Sequence, residues 1–367
     1  MLSGRRILKA DQPPRHATTR AGLCEGRGGP ILAAVSVDEV LPGLFRIEVP
    51  LPGSPLRSIN SWVIPARPRS LVIDTGMNRP ECEEALRTGL DEVGVDLERT
   101  DVFATHLHAD HLGLVAALAA DGARVLLGTR DAEIVEGWTG EEQFLEWMAK
   151  EGRWLGFPAG ELQEAMRGHP GLRYSPRTFP PLVHVEEGDE LAAGAYRLRA
   201  VFTPGHTPGH TCLWDEERRL LVSGDHILGD ITPNITSWMV PGDVLGDYLA
   251  SLEKVDRLGA KLALPGHRSI IRDVAGRIRE LADHHQARME EVVALLRGGG
   301  KTAYEVASGM TWDIDAAEWT RFPVAQKWFA TGEAASHLQR LEVVGRAGHD
   351  VRSGKWSLRG EGHGSQQ

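Results

Sequence analysis

A layered α/β domain is the fold class that this 367-residue sequence predicts. Two observations carry it. Short apolar runs bounded by Gly and Pro alternate with longer amphipathic stretches between Leu44 and Leu264, the rhythm of strands interleaved with helices. The composition, 41% hydrophobic and 25% charged, suits a chain that buries a core. No apolar run is long enough to span a membrane. With 41 Lys and Arg against 51 Asp and Glu the net charge is −10, which repels nucleic acid and anionic lipid unless basic residues are concentrated locally. The three cysteines, Cys24, Cys82 and Cys212, show no paired spacing. Neither a disulfide scaffold nor a cysteine zinc site is expected, and a cytoplasmic location fits.

Residues 1–30 are rich in Gly, Pro and Arg, lack periodicity and read as a disordered tail. From there to residue 270 the chain reads as one catalytic domain. Leu44–Val49, Ile59–Ile64 and Ser70–Asp74 are expected strands, and Pro80–Val93 a helix with Pro in its first turn. A strand at Val102–Thr105, a helix over Leu112–Ala120 and a strand at Arg124–Leu127 follow. Residues 129–185 break the rhythm with a helical, aromatic-rich insertion. Strands resume at Tyr196–Phe202, Thr211–Trp214 and Leu220–Ser223, then a helix over Val244–Leu258 and a strand at Lys261–Leu264. A long helix over Arg272–Arg297 ends at three consecutive glycines, Gly298 to Gly300. Helices over Thr302–Gly309 and Thr331–Val344 and a hairpin over Gly345–Leu358 complete a separate C-terminal region, 271–367.

The chemistry concentrates in Thr105-His106-Leu107-His108-Ala109-Asp110-His111, between a strand and a helix. His106 and His108 lie two apart, so in extended backbone both imidazoles project to one side. Asp110 and His111 follow where the backbone turns. Four nitrogen and oxygen ligand types so close together suit two adjacent metal ions better than one. Thr203-Pro204-Gly205-His206, Ser223-Gly224-Asp225 and Leu264-Pro265-Gly266-His267 each deliver a further ligand type just after an apolar run. No GxSxG elbow suggests a serine nucleophile.

These pieces, with Leu71-Val72-Ile73-Asp74-Thr75-Gly76, resemble the metallo-β-lactamase superfamily in identity and order. The resemblance implies a four-layer αββα sandwich with its metal site at one edge and a C-terminal appendage. It implies that His106, His108 and His206 hold one metal, that Asp110, His111 and His267 hold the other, and that Asp225 bridges them. The cysteine-free set looks like a glyoxalase-II-type site, usually two Zn2+ per chain, though iron or manganese also suits such ligands. Asp110 and Asp225 would be catalytic, in a hydrolase that uses a metal-bridging hydroxide. The C-terminal region looks winged-helix-like and resembles that of the β-lactamase-like protein 2 group, some of which cut single-stranded RNA.

Around the ligands, Asp74, His210 and His226 are read as supporting them or touching substrate. Trp138, Trp147 and Trp154 in the insertion, with Trp238 in the loop Ile231–Val240, are candidate walls of an apolar pocket. His284 and His285 on the long helix read as solvated. The expected activity is hydrolysis of a small thioester, ester or lactone with a hydrophobic acyl part, by a monomer or homodimer. Strict glyoxalase II activity is disfavoured, because no Lys/Arg cluster is evident for glutathione carboxylates. Two alternatives remain: a single-stranded RNA endonuclease or phosphodiesterase, and a mononuclear-iron persulfide dioxygenase. Against RNA stands the charge: residues 268–367 carry 14 Lys/Arg and 13 Asp/Glu, a net of +1, which leaves −11 on the rest.

Overall fold

The computed structural model describes residues 35–138, 140–236, 242–313 and 318–360. The expected tail, 1–30, and Trp238 lie outside the described residues. One sheet has seven strands in chain order, β1 (Ser36–Leu41), β2 (Leu44–Pro50), β3 (Ser58–Ile64), β4 (Ser70–Ile73), β5 (Thr100–Ala104), β6 (Arg124–Gly128) and β7 (Leu182–Val185). It is antiparallel up to β4 and parallel from β4 to β7. Helices connect its parallel part: α1 (Pro80–Glu92), α2 (Ala109–Leu112), α3 (Val115–Ala120), then α4 (Thr129–Glu136), α5 (Glu141–Trp154), α6 (Ala159–Gly168) and α7 (Pro170–Tyr174). The second sheet runs β12-β11-β10-β9-β8, with β8 (Glu190–Ala193), β9 (Tyr196–Phe202), β10 (Thr211–Asp215), β11 (Leu220–Gly224) and β12 (Leu262–Pro265). It carries α8 (Val244–Asp256) and α9 (Val274–Leu296). The chain ends in α10 (Ala303–Ala307), α11 (Val324–Val343) and the hairpin β13 (Ala347–Asp350) and β14 (Lys355–Leu358).

Strand alternation makes this a sandwich. Trp62, Ile64, Leu71, Ile73, Phe103 and Leu126 of the first sheet share one buried cluster with Leu198, Ala200, Leu213, Val222 and Leu264 of the second. Their sequence neighbours, Val63, Val72, Val102 and Val125, face the other way, into a cluster with Leu86 of α1 and Leu118 of α3. On the far side, Val201, Cys212 and Leu221 pack with Leu252 of α8 and Leu281 of α9. Four layers, αββα, result, with both sheets covered.

Several expectations need correction. The helix expected over 112–120 is two, broken at Gly113. A Cβ there would lie 2.4–2.5 Å from the backbone atoms Ala109 O, Asn78 N and Gly76 O, so the chain passes too close for a continuous helix with a side chain. α11 starts at Val324 rather than Thr331. β1, β7 and β8 are strands beyond those expected, being short and only partly buried. Nor does the core divide at residue 270: Ala334 and Leu338 of α11 and Trp356 of β14 belong to the same cluster as β9, β10 and α8. His285 is fully buried, not solvated, with Nδ1 3.2 Å from His337 Nε2.

Candidate metal centre

The ligand-type residues all sit just beyond strand C-termini at one sandwich edge. His106 follows β5, His108 precedes α2, and Asp110 and His111 lie within α2. His206, Asp225 and His267 follow β9, β11 and β12. The structure brings all seven together. Three triads present nitrogen or oxygen atoms within 4.8 Å of one another: His106, His108 and His206; His106, His111 and Asp225; and Asp110, His111 and His267. Asp225 stands between the groups, with Oδ1 3.5 Å from His111 Nε2 and Oδ2 3.8 Å from His206 Nε2 and 3.5 Å from His267 Nε2.

Hydrogen bonds on the outer nitrogens set the imidazole tautomers. His206 Nδ1–H donates to Asn234 O at 2.8 Å, and His267 Nδ1–H to Ser58 O at 2.8 Å. His111 Nδ1–H donates to Asp74 Oδ2 at 2.9 Å. Thr105 Oγ1 donates to Asp74 and so accepts from His106 Nδ1–H at 3.1 Å. In the neutral form of these four rings, Nε2 therefore turns a lone pair inward. His106 Nε2 faces His206 Nε2 at 3.2 Å and His108 Nδ1 at 3.0 Å, while His267 Nε2 faces Asp110 Oδ2 at 3.4 Å. Among the described residues, the buried His111 Nε2, His267 Nε2 and Asp225 Oδ1 have no hydrogen-bond partner. Lone pairs converging on lone pairs and carboxylates in a buried space fit cations, and the nitrogen/oxygen donor set suits zinc, iron or manganese.

The carboxylates make the space favourable to positive charge, whether a proton or a metal ion. Burial opposes charge on His111, yet the Asp74 and Asp225 carboxylates hold its pKa well above the ordinary value. Burial would lift Asp110 and Asp225, but the facing His267 and His111 hold both far below the usual carboxylate range. Burial, with His206 opposite, pushes His108 down to about 3.

The supporting residues are defined in the same way. Asp74, left-handed at φ 62°, accepts from Thr105 N at 2.8 Å as well as from His111, so one carboxylate ties the ligand loop and a ligand ring. His210 accepts from Asp225 N at 3.2 Å and pairs with Thr203 Oγ1 at 2.8 Å, and it is fully buried. The His226 ring is sealed between Tyr248 and His210, and its carbonyl accepts from Tyr248 Oη. Asp131 on α4 is a supporting residue that the sequence does not single out. Its carboxylate accepts from Leu107 N (2.9 Å), Thr207 Oγ1 (2.7 Å) and Gly209 N (2.6 Å), clamping the 105–111 loop to the 203–210 loop. A single Asp in an amphipathic helix carries no local signal of this.

Of the four candidate pocket tryptophans, Trp138, Trp147 and Trp154 lie among the described residues, each half-buried. Trp154 stands edge-on to Trp356 and near His349 of the hairpin. Trp147 joins Met148, Leu162 and Trp328 in a small core between the insertion and α11. Trp138 packs with Phe144 and Phe179. These contacts are internal packing, because an aromatic helical layer must bury its own apolar faces. The insertion reaches the ligand helix through α7, which packs on α2.

The description of the metallo-beta-lactamase superfamily matches residues 54–267. Lactamase-like protein adaB of Aspergillus niger is 30% identical over 346 residues, which cover 83% of this chain and 91% of that protein. A protein of Aspergillus fumigatus named atrochrysone carboxyl ACP thioesterase is 24% identical over 262 residues, 71% of this chain and 67% of its own length. The crystal structure of a metallo-beta-lactamase family protein from Thermus thermophilus superposes with a TM-score of 0.75 at 29% identity, over 88% of this chain and 100% of that one. The matched stretch begins just ahead of β3 and ends at His267 itself, so it spans every loop of the His/Asp cluster, and the chain belongs to the metallo-β-lactamase superfamily of hydrolases.

Proposed function

We propose that this chain is a dinuclear metal hydrolase of thioesters, esters or lactones with a hydrophobic acyl part. The observation that carries the reading is the seven-residue cluster whose imidazole lone pairs and carboxylates face one another in a buried space. His106, His108 and His206 would hold one ion, Asp110, His111 and His267 the other, with Asp225 shared. Two Zn2+ held there would supply a water activated at neutral pH and polarise the scissile carbonyl. The protein's own contribution is positional. Asp74, Asn234 O and Ser58 O hold three ligand rings in one tautomer each. Asp131 and His210 lock the loops that carry His206 and Asp225. Asp110, the more exposed of the two carboxylates, would orient the attacking water as well as help to hold metal. The thioester preference is supported by the relative named a thioesterase. The internal packing of Trp138, Trp147 and Trp154 removes one argument for an apolar pocket wall, so the acyl preference rests on that relative.

The deciding experiment compares the Zn-loaded protein with His108→Ala on acetyl-to-decanoyl thioesters and esters, and on labelled single-stranded RNA. Each buried methylene is expected to contribute up to about 0.8 kcal/mol, so kcat/KM rises with chain length, and His108→Ala loses metal and nearly all turnover. Cleavage of RNA by the wild type but not the variant, with no thioester turnover, would replace this reading by the nuclease one. Analysis of bound metal separates the dioxygenase, which needs a single iron.

A further inference from the structure

The loop after Asp225 is short of regular structure yet carries the acceptor that orients His206. Residues 231–236 form neither helix nor strand, and Asn234 O accepts from His206 Nδ1–H at 2.8 Å. A carbonyl in an unladdered loop holds such a position only if something else fixes the loop. Here the fixing groups come from the C-terminal region. Ser336 Oγ on α11 donates to Ile235 O at 2.8 Å, and Asn234 Nδ2 donates to Glu333 Oε2 at 3.3 Å. Glu333 Oε1 lies 3.6 Å from Arg288 Nε on α9, whose Nη1 donates to Glu291 and to Thr311 O. On the near side Arg277 of α9 donates to Leu228 O and Ile231 O.

Glu333 is 8% exposed on a helix face otherwise made of Ala330, Ala334, His337 and Leu338. Burial lifts its carboxyl to about 7, against the pull of Arg288 and Asn234. A leucine would pack at that position without the cost of burying a carboxylate. The group that Glu333 reaches, Asn234, is the residue that orients His206.

We propose that Glu333 is a positioning residue for the metal centre, acting through Asn234 on His206, so that the C-terminal region is a working part of the centre. This rests on the metal-hydrolase reading above. Removing Glu333 leaves the Asn234 amide without its acceptor and frees the loop to move its carbonyl. The His206 ring then loses its fixed tautomer and direction, and the metal loses one well-aimed ligand.

The test uses the full chain loaded with Zn2+ or Co2+, in five forms: wild type, Glu333→Leu, Glu333→Gln, Asn234→Ala and the Glu333→Leu/Asn234→Ala double variant. Tyr304→Phe, which removes the Tyr304 to Glu161 bond elsewhere in the C-terminal region, is the control. The readouts are the rate of metal release to a chelator, the cobalt absorption spectrum, and kcat and KM separately. Glu333→Leu and Asn234→Ala are each expected to speed release by about 3- to 30-fold and to shift the cobalt bands. The double variant is expected to be no worse than either single one, as for residues acting in series. Glu333→Gln, which keeps an acceptor for Asn234, restores release to within about twofold of wild type, and Tyr304→Phe leaves it unchanged. Wild-type release and spectra in both Glu333→Leu and Asn234→Ala overturn the proposal. Should Glu333→Leu fail to fold, Asn234→Ala decides alone, since it trims a loop side chain and keeps the carbonyl. A wild-type protein that takes up neither metal overturns the hydrolase reading first, before any variant is compared.

Discussion

Adding one methyl group at Gly266 would place it in the middle of the candidate metal centre. A Cβ built there lies 2.5 Å from Asp225 Oδ1 and 2.7 Å from His111 Cε1, where ordinary contact begins near 3.4 Å. Something must therefore move by nearly an ångström, and nothing nearby is free to do so. The Gly266 backbone is held on both sides, its carbonyl accepting from Asn60 N at 2.7 Å and its N–H donating to Gly224 O at 2.9 Å. His111 is held by Asp74, and Asp225 N by His210. Gly266 does not occupy the left-handed region, so alanine brings no backbone strain and the effect isolates the steric clash. A misplacement of about 1 Å at reacting groups costs roughly 100-fold in rate, about 2.7 kcal/mol. Overpacking costs only about 1–3 kcal/mol of stability, so Gly266→Ala should still fold. Metal content, kcat/KM on the best thioester and chemical denaturation of the metal-free protein are measured side by side. A folded Gly266→Ala protein with wild-type metal content and turnover would refute the placement of Asp225 and His111 as neighbours across Gly266.

Asp131→Ala strands two buried backbone N–H groups, Leu107 and Gly209, at about 1–3 kcal/mol each. The expected loss is about 2–3 kcal/mol, at the lower end because burial already lifts the Asp131 carboxyl to about 6 and makes its ionisation costly. Metal retention should fall with it, and urea denaturation with metal analysis checks both. Trp356→Ala, at a fully buried ring, is expected to cost about 3–5 kcal/mol in a single cooperative transition, whereas a separate early transition of the C-terminal region would contradict the shared core. His337 is held neutral by burial, down to about 4, with His285, His284, Arg288 and Glu333 around it. The unfolded chain takes up that proton near 6.5, so stability contributed by neutral His337 is complete above that pH. It is lost by up to about 3 kcal/mol as pH falls toward 4. Denaturation series between pH 4 and 7 should show a flatter slope in His337→Gln; an unchanged slope would mean that another group carries the acid sensitivity.

Local chemistry makes much of this protein legible in its sequence alone. The strand-then-histidine segments place their ligands by backbone direction over a few residues, and His106, His108, Asp110, His111, His206, Asp225 and His267 do meet. The central strands also follow from local pattern, because two covered sheets need near-continuous apolar runs there. The short outer strands β1, β7 and β8 do not, since each is a partly exposed sheet edge and β7 and β8 have only four residues, too few to show a period. Aromatic content alone cannot separate a pocket wall from a packed layer, and Trp154 packs on the hairpin. What only the tertiary structure decides is which distant residues hold the ligands in aim. Asp131 meets Gly209 across 78 positions of sequence, and Asn234 meets Glu333 across 99. A ligand's identity is written in its own loop, whereas the carbonyl or carboxylate that orients it is supplied by whatever element the completed core presses against that loop.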